Sequence, residues 1–214
     1  MISIKIFESE KLMAIDAINI IKFELERTKK LDIAFSGGKT PIRFFQLLAI
    51  EDINWENINI FLVDERWVPL DNIDSNYNMI NRFLLKNIKI PNENIHYIHY
   101  SSSIEQSRKE YEDDILKHFK GDIIFDLIFL GVGSDGHTAS IFEKNEVDLP
   151  EDVIVTSSRR HPHERISFGI SIINKAKRKI FLSGPEKILV IGSSMSKDFP
   201  ISKVSNPEFL SYTK

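Results

Sequence analysis

Short apolar runs alternate along this chain with longer segments whose apolar residues recur every three or four positions. In residues 9–27, Leu12, Ile15, Ile18, Ile21 and Leu25 fall at helical spacing and predict an amphipathic helix. Residues 31–35 read as a short buried strand, and Pro41 then opens a helix, where its fixed φ and missing N–H are tolerated. A second buried strand is predicted over 58–63, and Ser75 caps a helix running to about residue 86. Residues 95–100 read as another strand. Ser103 caps a polar helix to about residue 119, with Gln106 at the capping-box position. A strand at 127–130 follows, then a short helix after His137. Residues 152–156 and 179–182 are further strands, while Ile188-Leu-Val-Ile191 fits a strand or a buried helix equally well. Strands that are apolar throughout, instead of alternating, are those covered on both faces. With the βαβα order, this predicts an α/β fold: a mainly parallel sheet with helices on both sides.

The length of 214 residues suits one α/β domain or two small ones. No internal repeat, low-complexity stretch or linker divides it, so a single domain over 1–214 is expected. The hydrophobic content of 42% supplies a sizeable core, and the net charge of −3 argues against a nonspecific nucleic-acid binder. The absence of cysteine excludes disulfides, thiolate nucleophiles and thiolate metal ligands. The N-terminus carries no basic segment followed by a signal-length apolar core, and no apolar run approaches the ~20 residues of a membrane span. The default expectation is a cytoplasmic protein with neither a membrane nor a nucleic-acid partner.

Three strands end in loops that carry chemistry. The run Asp126-Leu-Ile-Phe-Leu-Gly-Val-Gly-Ser-Asp-Gly-His137 is a buried strand leading through a glycine-rich turn to an Asp and a His. In open α/β sheets, ligands sit at the carboxyl ends of strands. A His there is a general-base candidate, because its ordinary pKa of about 6.5 lets it take a proton near neutrality. Asp135 or Asp64 would orient the imidazole or position a substrate. The Gly-x-Gly element lacks the third glycine of a dinucleotide site. A second loop, Ser36-Gly-Gly-Lys-Thr-Pro41, joins a strand to a helix start, where backbone N–H groups and the helix dipole would face a phosphate. It does not have the Walker A spacing. The third, Asp64-Glu-Arg-Trp-Val-Pro69, offers Arg66 for bidentate phosphate or carboxylate recognition, or alternatively a surface Arg–Glu pair of little energetic worth. Arg165 and Lys187 are ordinary solvated cations unless these loops converge. His96, His99, His118, His161 and His163 are read as structural or solvated. No pair has the His-Glu-x-x-His spacing, so no metal is expected.

Taken together, Ser36-Gly-Gly-Lys-Thr-Pro41, Val63-Asp-Glu-Arg-Trp-Val-Pro69, Asp74-Ser-Asn-Tyr77 and Gly131-Val-Gly-Ser-Asp-Gly-His-Thr-Ala-Ser-Ile-Phe142 resemble the 6-phosphogluconolactonase family. Arg165-Ile-Ser-Phe, Ala176 and Gly184-Pro-Glu-Lys187 resemble its later landmarks, in the same order. The resemblance implies a three-layer α/β/α, modified Rossmann-like fold, shared with glucosamine-6-phosphate deaminase/isomerase. It also implies hydrolysis of 6-phosphoglucono-δ-lactone in the oxidative pentose phosphate pathway, with no cofactor. Carried over by motif, Gly37, Gly38 and Thr40 would cradle phosphate, and Arg165 and Lys187 would clamp it. Arg66 would line the same pocket, and Asp64 and Asn76 would contact the sugar or support the site. His137 would activate water without a metal. The partner implied is a small phosphorylated sugar lactone, and the protein would be a monomer or small homo-oligomer.

The sibling deaminases carry a Glu five residues after the His, whereas this chain has Phe142. They also favour Tyr where this chain has Arg66-Trp67. Both differences favour the lactonase over the deaminase; a noncatalytic sugar-phosphate sensor is the third reading, and an intact Asp135 and His137 argue against it. Two departures from the lactonase pattern stand out. Glu143 replaces a common Pro and would alter the pocket rim or partly mimic the deaminase Glu. The tail after about residue 200 is short, and the expected final strand is not evident in it.

Overall fold

The long periodic segment folds as α1 (Glu10–Arg27), and the Ser9 hydroxyl oxygen accepts a hydrogen bond from the Leu12 N–H at its start. The computed structural model describes residues 3–195 and 199–213. Ahead of α1 lies β1 (Ser3–Phe7), an edge strand whose Ile4 and Ile6 are exposed. The chain continues through β2 (Leu31–Phe35), α2 (Ile42–Leu48), β3 (Ile58–Leu62), β4 (Asp64–Arg66) and α3 (Asn76–Phe83). β5 (Ile95–His96), α4 (Ile104–Phe119), β6 (Leu127–Leu130) and α5 (Lys144–Val147) come next. β7 (Val153–Ser158), β8 (His161–Phe168), α6 (Ile170–Lys175), β9 (Arg178–Ser183), α7 (Ile188–Met195) and β10 (Pro207–Tyr212) complete it.

Seven strands form one sheet in the order β1-β10-β9-β6-β2-β3-β5, and every pairing in it is parallel. Alternate residues of each central strand feed two separate cores. Leu31, Ile33 and Phe35 of β2, with Leu127 and Phe129 of β6, pack with Met13, Ile18 and Ile21 of α1, Phe44 and Phe45 of α2, and Ile80 of α3. Ala34, Ile128 and Leu130 point to the opposite side, where Tyr111 and Ile115 of α4 and Ile172 and Ile173 of α6 cover them. Burial on both faces explains why these strands read as unbroken apolar runs. The result is the three-layer arrangement expected.

Several expectations need correction. Only Ile95 and His96 of the 95–100 segment pair as a strand. The helix after His137 begins at Lys144, because Thr138 and Ile141 first close a tight β-bridge with Ala139 in the left-handed region (φ 50°). The 152–156 segment is a strand, but β7 belongs to a separate antiparallel sheet, β4-β8-β7. The ambiguous run at 188–191 opens helix α7. The tail does contain a final strand: β10 sits between β1 and β9, well inside the sheet. Its signal is weak because it opens on Pro207, which a first strand position tolerates, and only Phe209 and Leu210 supply its apolar core. Phe209 is fully buried against Phe181, and the Ser211 hydroxyl donates to the Ser183 carbonyl at 3.1 Å. Arg178 grips Glu208 of β10 with two hydrogen bonds of 2.8 Å and Glu24 of α1 with one of 3.0 Å. No helix among the described residues is long and apolar enough to cross a membrane.

Two stability measurements follow from β10. Phe209→Ala should cost about 3–5 kcal/mol by chemical denaturation, the usual cost of emptying a buried aromatic site; a near-neutral result would contradict a core position for this strand. The hydrogen bond from Arg178 holds the Glu208 carboxyl below its ordinary value of 4.5 despite partial burial. A depressed carboxyl contributes stability above its unfolded pKa and loses it as pH falls through the lower folded pKa. Unfolding free energy should therefore drop on acidification below about pH 4.5, and Glu208→Gln should flatten that part of the curve.

Candidate active site

The sheet order places β2 between β3 and β6, so the loops leaving β2 and β6 rise side by side at the carboxyl edge. Such a divergence leaves a crevice in open α/β sheets. A cavity opens there, lined by residues 36–41 after β2, Asp64 and Arg66 of β4, and Asn76 of α3. Gly133, His137, Ser140 and Phe142 after β6, with His161 and Arg165 of β8, complete the wall. The small sheet is hung over this edge by a hydrogen bond of 2.8 Å from the Phe168 N–H to the Val63 carbonyl.

Antiparallel pairing of β4 with β8 sets Arg66 directly opposite Arg165. Like charges at opposed positions destabilise a sheet. Arg165 is only 7% exposed. Its burial and then the neighbouring Arg66 pull its pKa down, while Asp64 and Glu65 oppose that shift. Arg66 donates through Nη1 to the Asn76 side-chain oxygen at 2.7 Å and to the Asp74 carbonyl at 2.8 Å. Among the described residues, five buried side-chain polar atoms have no hydrogen-bond partner within the protein. Four of them, Ser36 Oγ, Arg66 Nε, His161 Nε2 and Arg165 Nε, belong to residues lining this cavity. The Ser36 hydroxyl and the two guanidinium Nε atoms are donors left open in one place, a chemistry that suits an anion.

The base candidate is held from two sides. His137 Nδ1 lies 2.5 Å from Asp135 Oδ1. A Cβ on Gly133 would stand 2.1 Å from that same Nδ1, so only glycine lets the ring lie against the loop. The loop closes on itself, with the Gly133 N–H bonded to the His137 carbonyl and the Gly136 N–H to the Gly133 carbonyl. Gly136, at φ 82°, occupies backbone space that favours glycine. Burial raises Asp135, but the charge and hydrogen bond of His137 and the nearby backbone N–H groups leave its carboxyl below the ordinary range. The carboxylate therefore stays ionised and Nδ1 carries the proton, which leaves Nε2 as the basic nitrogen. Phe142 packs against His137 with ring centres 4.8 Å apart, and the Arg165 guanidinium lies 5.7 Å from the centre of the Phe142 ring.

Asp64 serves a different wall. Its carboxylate accepts a hydrogen bond of 2.6 Å from the buried Ser140 hydroxyl, while the Ser140 N–H donates to Ser167 Oγ at 3.2 Å. Glu65 faces away from the cavity. Its two carboxylate oxygens accept from the Ser75 hydroxyl and from the N–H groups of Arg66, Asn76 and Tyr77 at 2.7–2.9 Å. This ties the first turn of α3 to β4. Asn76 is thereby fixed over Gly37, where a Cβ would fall 2.0 Å from the Asn76 side-chain oxygen.

Of the residues singled out in the sequence, Gly37, Gly38, Thr40, Asp64, Arg66, Asn76, His137 and Arg165 all line the cavity. Asp135 stands behind the wall as the partner of His137; Asp64 is not that partner. Lys187 ends a short 3-10 turn after β9 and is not among the lining residues. Glu143 is exposed and borders a neighbouring recess instead of the cavity. It is the residue just before α5, where Glu146 accepts hydrogen bonds from the N–H groups of Phe142 and Glu143. Ser36, Ser140, Phe142 and His161 join the site without having been assigned a role in it. His161 reads as structural or solvated in the sequence, yet it lines the cavity from β8, where strand alternation puts His161, His163 and Arg165 on one face. That two-residue period was the available signal.

A family model described as glucosamine-6-phosphate isomerases/6-phosphogluconolactonase matches residues 9–210. A 6-phosphogluconolactonase of Thermotoga maritima is 36% identical over 179 residues, covering 83% of this chain and 80% of the relative. A crystal structure of 6-phosphogluconolactonase from the same organism superposes with a TM-score of 0.90 at 30% identity, covering 99% of each chain. A monomeric glucosamine-6-phosphate deaminase shares the fold alone, with a TM-score of 0.82 at 18% identity over 98% of this chain and 97% of its own.

The opposed arginines give a double signature. Arg165→Met removes like-charge repulsion as well as an anion donor. Affinity for inorganic phosphate, read by calorimetry, should fall roughly ten- to a hundred-fold, matching about 1.5–3 kcal/mol for a charged hydrogen bond. Unfolding free energy should hold or rise. Unchanged phosphate affinity would remove Arg165 from the anion site.

Proposed function

The chain belongs to the glucosamine-6-phosphate isomerase/6-phosphogluconolactonase family, and we propose that within it this protein is a 6-phosphogluconolactonase. It hydrolyses 6-phospho-D-glucono-1,5-lactone to 6-phospho-D-gluconate, as a single domain, in the oxidative pentose phosphate pathway of the cytoplasm. The observation that carries this reading is the placement of an Asp135–His137 pair and the Arg66–Arg165 pair on one cavity, with Phe142 five residues beyond His137. The deaminase pattern requires a carboxylate at that fifth position. The nearest one in sequence, Glu143, is exposed outside the cavity.

In this mechanism the substrate phosphate is held by Arg66 and Arg165, with Gly37, Gly38 and Thr40 beneath it and Lys187 approaching from the β9 edge. Binding energy from this nonreacting end positions the lactone carbonyl carbon near His137. Neutral His137 accepts a proton at Nε2 as water attacks that carbon. Asp135 holds the Nδ1 proton and stabilises the imidazolium that forms, the usual task of a carboxylate behind a histidine base. The bond from the carbonyl carbon to the ring oxygen then breaks, and the ring oxygen takes its proton from His137. The N–H groups of Gly133 and Gly136 are already bonded inside their loop, so donors for the developing oxyanion would come from the other N–H groups of that loop or from Gly38. Asp64 and Asn76 position the sugar hydroxyls. No metal or cofactor enters these steps, and the working unit is a monomer or small homo-oligomer.

Acid release from fresh phosphogluconolactone, measured above its spontaneous rate, should be catalysed, with no ammonia released from glucosamine 6-phosphate. Ammonia release would select the deaminase instead; phosphosugar binding without either reaction would select a sensor. His137→Ala should lower lactone turnover by about 10²–10⁴, the usual span for acid–base catalysis. Near wild-type turnover in that variant would remove His137 from the base role.

A further inference from the structure

His161 takes no part in the proposed hydrolysis, yet its position is unusual. Its Nε2 is buried without a hydrogen-bond partner and stands 3.9 Å from Asp135 Oδ2. Its ring stacks on Phe142 at 4.7 Å and meets the His137 ring edge-to-face at 5.3 Å. One ligand atom from each of Asp135, His137 and His161 can be chosen so that all three lie within 4.8 Å of one another. We propose that these three side chains form a binding site for a borderline transition cation of the Zn²⁺ class, and that the bound cation inhibits the enzyme.

Ligand atoms around tetrahedral zinc, with bonds near 2.0–2.2 Å, stand about 3.3–3.5 Å apart. His161 Nε2 stands 3.9 Å from Asp135 Oδ2, close to this, and His137 Nδ1 stands 2.5 Å from Asp135 Oδ1, which must open by about an ångström, so the carboxylate meets the ion through both oxygens or turns to present one. The ion takes the place of the proton now shared between Asp135 and His137 Nδ1, and that proton reappears on Nε2, so binding to the neutral ring releases no net proton. With the metal on Nδ1, the neutral imidazole keeps its proton on Nε2, so that nitrogen no longer accepts a proton from water. Coordination thus removes the base instead of activating water. Two imidazoles and one carboxylate suit Zn²⁺, Co²⁺ or Ni²⁺; Mg²⁺ prefers all-oxygen ligands. Arg160, 3.8 Å from Asp135 Oδ2, with Arg165 and Arg66 beyond, opposes a cation, so binding should be weaker than at a structural zinc site. Arg160 is largely exposed and free to swing away. The ligands come from the loop after β6 and from β8, which is why no local sequence motif announces the site.

The test is Zn²⁺ binding to the intact protein in competition with a chromogenic chelator. Wild type should bind one equivalent at least ten-fold more tightly than His161→Gln or Asp135→Asn, with no net proton release when compared in two buffers near neutral pH. His163→Gln should bind like wild type, because His163 instead contacts Asp74. Co²⁺ should give the visible bands of a tetrahedral site in wild type and lose them in His161→Gln. If His161→Gln fails to fold, His161→Phe replaces it and retains an aromatic face for Phe142. Equal Zn²⁺ affinity in wild type and the His161 variant would overturn the proposal, as would an equal loss in His163→Gln. None of these readouts requires lactone turnover, so they stand or fall separately from the proposed reaction.

Discussion

Arg66 and Arg165 face each other across two antiparallel strands, and the register that opposes them organises the whole site. In the same ladder Asp64 meets Ser167 and Glu65 meets Ile166. Strand alternation then sends Asp64, Arg66 and Arg165 toward the cavity and Glu65 toward α3. A one-residue slip would exchange these faces, placing Glu65 beside the anion site and both other groups against apolar packing. Two contacts prevent it. The Phe168 N–H is bonded to the Val63 carbonyl at the end of β3, and Glu65 gathers donors from the first turn of α3. Burial pushes the Glu65 carboxyl above its ordinary range, while the N–H groups of Tyr77 and Asn76, the Ser75 hydroxyl and the Arg66 N–H pull it back. A buried carboxylate with this many donors is a joint between two elements. Its loss would leave both Arg66 and Asn76 unguided.

The glycines act in a way that loop composition alone does not reveal. Gly37 was legible as a turn residue near a phosphate, and Gly133 as part of the glycine-rich turn that leads to His137. In the structure each also admits the close approach of one functional side chain: Asn76 at Gly37 and His137 at Gly133. The same substitution at either position would disturb the site through a neighbour's side chain, with little change in local backbone preference. This links the β2 loop to α3 and β4, because Asn76 donates to the Asp64 carbonyl and accepts from Arg66. The anion side and the base side of the cavity are rigid for separate reasons, and Ser140, bonded to Asp64, and Phe142, in contact with both His137 and Arg165, lie between them.

What the sequence disclosed follows the physics of each element. Strands buried on both faces, such as β2, β3 and β6, show as continuous apolar runs, and capped helices such as α3 and α4 show their starts through Ser75 and Ser103. The carboxyl-edge loops were legible because glycine, Asp, Arg and His cluster where the apolar runs end. β10 was missed because Phe209 and Leu210 supply little run length, and β1 because an edge strand with exposed Ile4 and Ile6 presents no buried pattern. β8 was misread because His161 and His163 look like solvent-loving residues, although their alternation with Arg165 is that of a strand facing a polar cavity. Pairings such as Arg66 with Arg165 depend on contacts between distant segments, and no local periodicity encodes them.

Fold similarity alone does not separate lactone hydrolysis from deamination, since a deaminase superposes well at low identity. The separation lies in one side chain and its surroundings. Phe142 touches His137 and His161 and lies beneath the Arg165 guanidinium. A carboxylate in its place would stand beside that cation and neutralise part of the anion site, while adding a second acid–base group next to His137. An apolar ring instead leaves the Arg165 guanidinium without a carboxylate partner at this position and packs against His137 and His161. The same ring stacks on His161, whose Nε2 stands 3.9 Å from Asp135 Oδ2, so one side chain touches both the proposed base and the proposed metal cluster.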